Sequence, residues 1–71
     1  MSDSIMLISK KEVIYLTYIA FDIELPENVD DLMSEELLRR CTQKDSRAIN
    51  DRIITQYGER VLKANFKRLI L

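Results

Sequence analysis

Residues that make tight turns are scarce in this chain. Its 71 residues include one glycine, Gly58, and one proline, Pro26, with no Asn-Gly or Asp-Gly pair. Two-residue hairpins draw on such residues because their central positions need φ > 0. A sheet of several strands would need several of these turns, whereas helices joined by polar loops would not. The expected fold is therefore all-α: one helical domain over residues 1–71, with three or four helices in a small bundle.

Size and composition narrow the function classes. The chain is 46% hydrophobic and 32% charged, too apolar for a disordered segment. A domain this short buries only about 60% of the surface its unfolded chain exposes, and usually needs a disulfide, a metal or oligomerisation. A single cysteine cannot close an internal disulfide. With no histidine and one cysteine, the usual zinc sites and the Ser-His or Cys-His nucleophile pairs cannot be built within one chain. No catalytic residue, metal, cofactor or small-molecule substrate is expected, and a homodimer is expected to complete the bundle. The longest apolar stretch, Val13 to Phe21, is interrupted by Thr17 and is far shorter than the roughly 20 residues of a membrane span. The start of the chain lacks the basic region of a signal peptide, so a cytoplasmic protein without a membrane partner is expected.

Local signals place the helices. Ser9-Lys10-Lys11-Glu12 fits a capping box, in which the Ser9 hydroxyl and the Glu12 carboxylate each bond the other residue's amide. Helix 1 is predicted over residues 10–23. Its apolar, β-branched middle also suits a strand, and Phe21-Asp22-Ile23-Glu24-Leu25 alternates with period two, but the lack of turns favours helix. Pro26 opens helix 2, predicted over residues 26–41, with a shorter version starting after Ser34 as N-cap. Thr42-Gln43-Lys44 reads as a loop. Asp45 or Ser46 then caps a third helix over residues 46–70, either one long helix carrying Gly58 inside it or two helices broken there. The apolar stripe passes Gly58 without a change of phase, which favours the single helix.

Charge is unevenly divided. Residues 1–38 hold nine carboxylates against Lys10 and Lys11, and residues 39–71 hold nine bases against Asp45, Asp51 and Glu59. Such a split fits halves that pack on each other, or a nucleic-acid face in the second half. Arg60, Lys63, Lys67 and Arg68 recur at helical spacing and are the candidate phosphate-tracking residues. Asp22, Glu24, Glu27, Asp30 and Asp31 form the densest acidic cluster. Without the spacing and turn glycine of a calcium loop, they read as a solvated acidic turn. Cys41 lies on the apolar stripe and reads as a small buried hydrophobe.

On helix 1, Tyr15, Tyr18 and Phe21, with Val13 and Ile19, form an apolar and aromatic face suited to a protein partner. The leading expectation is thus a non-enzymatic regulator, adaptor or inhibitor that buries this face against another protein. The alternative is a nucleic-acid-binding regulator using the basic C-terminal half. Through Ile8-Ser9, Val13-Ile14, Ala20, Leu25, Leu32 and Arg39-Arg40, the stretch from Ile8 to Arg40 resembles the helical hairpin of the short sporulation-checkpoint inhibitors of bacterial histidine kinases. Any antiparallel helical hairpin would show these features, and residues 41–71 lie outside the resemblance.

Overall fold

The computed structural model describes residues 4–71. In chain order it contains α1 (Lys10–Ala20), α2 (Val29–Leu32), α3 (Glu35–Cys41), β1 (Thr42–Lys44), β2 (Arg52–Ile54) and α4 (Gln56–Leu69). The two strands pair antiparallel, with Thr42 opposite Ile54, Gln43 opposite Ile53 and Lys44 opposite Arg52. The fold is therefore α+β, and the all-α expectation is corrected. The scarcity of glycine does not bar a hairpin, because glycine is not the only route to positive φ. Asp51, at the end of the connection between the strands, takes φ 60°, a conformation that Asp tolerates better than most residues. The connection over residues 45–51 is also long enough to avoid a two-residue turn. Asp45 anchors it by accepting from the Arg47 amide and guanidinium, at 2.9–3.0 Å.

The capping box at Ser9 and Glu12 is present in both directions. Helix α1 stops at Ala20, three residues earlier than expected, because the chain folds into a Schellman stop. The Asp22 amide donates to the Ile19 carbonyl and the Ile23 amide to the Tyr18 carbonyl. Asp22 occupies the left-handed position, φ 56°, usually held by glycine. The expected second helix is interrupted. Asn28 caps the four-residue α2, Met33 is extended, and Ser34 caps α3 as the shorter version of helix 2 required.

Residues 46–55 do not belong to the last helix. Helix α4 starts after Thr55, whose hydroxyl accepts from the Gly58 amide and donates to the Arg40 carbonyl. Gly58 thus sits in the first turn of α4, neither in the middle of a helix running from residue 46 nor at a break. A Cβ there would overlap the Cys41 carbonyl oxygen and approach Ile54 Cγ1 at 2.8 Å. Its lack of a side chain lets α4 press against the end of α3.

The core is centred on Val13, Leu16 and Ile19 of α1, Leu37 and Cys41 of α3, and Val61 of α4. The start of α1 lies beside the end of α4, and the end of α1 lies against β2, which leads into α4. The two long helices therefore run antiparallel. Among the described residues, no helix is long and apolar enough to cross a membrane.

Three polar side chains do the work of missing strands. In an extended chain, the carbonyl of residue i and the amide of residue i+2 face the same edge. Tyr57 Oη donates to the Ser4 carbonyl and accepts from the Met6 amide. Asn65 Nδ2 donates to the Met6 carbonyl, and Asn65 Oδ1 accepts from the Ile8 amide. Residues 4–8 are thereby laid along α4. Asn50 does the same for a second segment, with Nδ2 donating to the Ile23 carbonyl and Oδ1 accepting from the Leu25 amide.

Candidate functional site

The residues named on helix 1 part company in space. Val13 and Ile19 point into the core and are almost fully buried. Tyr15 and Tyr18 are half-buried and pack against that core. Phe21 is different, being 72% exposed just past the end of α1. The apolar face read from the sequence is split, because α1 turns Val13 and Ile19 inward against α4 and β2.

Exposed apolar side chains gather instead where the α1 stop meets the strand connection. The Asp22 carboxylate accepts from the Ile49 amide at 2.9 Å. Next to this bond, Asn50 holds Ile23 and Leu25. These bonds hold the backbone of residues 22–25 against residues 49–50, where Phe21 is 72%, Ile23 49% and Ile49 51% exposed. A shallow groove alongside is lined by Ala20, Asp22, Ala48 and Ile53, among others. Each apolar residue therefore stands on backbone that is tied down on both sides. The sequence reading named Phe21 but not Ile23, Ile49 or Ile53. The period-two alternation of residues 21–25 was the one visible signal for Ile23, whereas Ile49 and Ile53 fall on the apolar spacing of the expected third helix.

The acidic cluster is divided among separate tasks. Asp22 serves the Ile49 amide, and Asp30 pairs with Arg52 at 3.1 Å. Arg52 also donates to the Thr42 hydroxyl, linking β2 to the junction of α3 and β1. Together with Glu24 and Glu27, Asp30 lines a polar cleft of about 670 Å³ facing Lys44, Asp45 and Arg52. The Arg47 guanidinium holds the Asp45 carboxyl down at about 2. Burial pushes the Cys41 thiol up to about 11, with Arg40 pulling the other way.

The basic residues of the last helix also separate. Arg60, Lys63 and Lys67 are exposed along α4. Arg68 is tied into the scaffold, donating to the Ile8 carbonyl at 2.6 Å and to Asn65 Oδ1 at 2.8 Å. The Tyr57 ring carries Arg40 at 4.7 Å and Arg60 at 5.9 Å from its centre, so a base from α3 joins the α4 row through cation–π contact.

The chain matches no protein-family model, no curated protein and no solved structure.

Proposed function

We propose that this chain is a non-enzymatic interaction module that docks another protein on the patch formed by Phe21, Ile23, Ile49 and Ile53. One observation carries this reading. A bulky aromatic side chain is 72% exposed, and exposed isoleucines stand on the neighbouring backbone, which is fixed by the Schellman stop, the Asp22 carboxylate and Asn50. Clustered apolar exposure marks interaction sites, and an aromatic anchor is the commonest hot spot. A rigid patch also loses little conformational entropy on binding. Asp22 lines the groove, Arg47 there is paired with Asp45, and Glu24 and Asp51 are exposed in the same region, so the partner segment is apolar with basic flanks. Action in the cytoplasm belongs to the same reading, supported by the one thiol, Cys41, being unpaired and buried.

The test is site-specific photocrosslinking in the native host, with the probe at Ile23 or Ile49 and a control probe at Lys63. One discrete protein adduct from the patch, lost in a folded Phe21→Glu chain, is expected. Adducts only from position 63, or patch adducts indifferent to Phe21→Glu, would refute the reading.

A second reading, a nucleic-acid-binding regulator, draws on the row Arg40, Arg60, Lys63 and Lys67. The order α2, turn, α3 and hairpin also places two short helices in tandem ahead of the strands. In a helix-turn-helix, the leading end of the second helix meets the bases. Here that end carries Glu35 and Glu36, whose charge opposes phosphate. Salt-dependent binding to duplex DNA, weakened by Lys63→Gln with Lys67→Gln, would favour this reading. Arg68 is unsuited to the test because its loss would also loosen residues 4–8.

A further inference from the structure

Residues 4–8 run as an extended segment with only one edge in use. The Ser4 carbonyl, both backbone groups of Met6 and the Ile8 amide face α4 and are bonded by Tyr57 and Asn65. The alternate residues, Ile5 and Leu7, face their amides and carbonyls the other way. Among the described residues, these groups bond to nothing. The Leu7 side chain is 76% exposed. The run Ile5-Met6-Leu7-Ile8 has no charge and no proline, so it lacks the usual devices that keep an edge strand from pairing.

We propose that this edge pairs with the same edge of a second copy of the chain, forming an intermolecular two-stranded antiparallel ribbon centred on Met6. The register follows from which groups are open. In an antiparallel ladder, a hydrogen-bonded pair exchanges both its N–H···O bonds, and the next pair along exchanges none. Placing Met6 opposite Met6 of the copy puts Ile5 opposite Leu7 on both sides of the two-fold axis. Every open amide and carbonyl of Ile5 and Leu7 then finds a partner, and no group held by α4 is disturbed. The edge is therefore complementary to itself, the requirement of a two-fold interface, and a second copy fits it without any further sequence match. This ribbon is separate from the Phe21 patch, so failure of either proposal leaves the other standing.

The experiment combines light scattering across a concentration series with amide hydrogen exchange on the full chain. A dimer is expected, with the Ile5 and Leu7 amides protected in step with dimer formation. Leu7→Pro removes one open amide at a position whose extended backbone accepts proline, so a folded monomer is expected. Leu7→Thr keeps the amide and is expected to dimerise. A chain that stays monomeric at all concentrations would overturn the proposal, as would a dimer whose Ile5 and Leu7 amides exchange freely. A Leu7→Pro chain that still dimerises would also overturn it. Were Leu7→Pro to unfold, the exchange pattern of the unsubstituted chain would still decide.

Discussion

Asn65 uses its whole hydrogen-bonding capacity while fully buried. Its amide donates to the Met6 and Val61 carbonyls, and its oxygen accepts from the Ile8 amide and the Arg68 guanidinium. Replacing it by leucine of similar size strands the backbone groups of Met6 and Ile8. Asn65→Leu is expected to destabilise the fold by about 3 kcal/mol, read as a lower urea midpoint together with faster exchange of the Ile8 amide. Asn65 was partly legible, since it falls four residues from both Val61 and Leu69 on the apolar stripe of α4. A polar residue there needs a partner, but nothing in the spacing says that the partner lies near residue 8. Cys41 was legible as a buried apolar residue, and its titration has a definite consequence. The folded chain holds the thiol proton up to about 11, above the ordinary value of 9.0. The stabilisation is complete below pH 9 and is lost as pH rises towards 11, because the unfolded chain ionises first. In urea titrations, the stability gap between the unsubstituted chain and Cys41→Ala should narrow across that window. A gap constant with pH would contradict the assignment.

Among the elements, the starts of α1 and α3 and the ends of α3 and α4 were written in the sequence, whereas the end of α1 and the starts of α2 and α4 were not. Ser9 with Glu12, and Ser34 before Glu35, are local devices whose donors and acceptors lie within one turn. The stop at Phe21 depends on Asp22 taking a left-handed conformation, which no neighbouring residue dictates. The hairpin was hidden for the same reason, because Asp51 supplies what glycine was expected to supply. Strands of three residues are also too short for alternation to show. Gly58 illustrates a different limit. Its role comes from α3, seventeen residues away in sequence at Cys41, and appears only once the helices meet. Gly58→Ala must move the Cys41 carbonyl or Ile54, so it should cost about 2–3 kcal/mol despite alanine's better helix propensity. A neutral or stabilising result in thermal or urea unfolding would mean that α3 and α4 are not pressed together there.

At the scale of the molecule, the charge split is only partly neutralised by folding. Asp30–Arg52 and Glu36–Arg40 join the acidic and basic halves, whereas Asp45–Arg47 is a pair within the second half. Acids concentrate from the α1 stop to the start of α3, and α4 carries Arg60, Lys63, Lys67 and Arg68 against Glu59. The apolar patch lies at the acidic end, so its partner should bind more weakly as salt rises, without losing the apolar anchor. The expected aromatic face on α1 is partly turned inward because a chain this small uses its most apolar helix as its own core. The most exposed of the named residues, Phe21, lies just beyond that helix. The most direct measurement compares photocrosslinking from Ile49 in the unsubstituted chain and in folded Phe21→Glu. One protein adduct that disappears with the substitution is expected. An undiminished adduct, or none from Ile49 while Lys63 crosslinks efficiently, would contradict it.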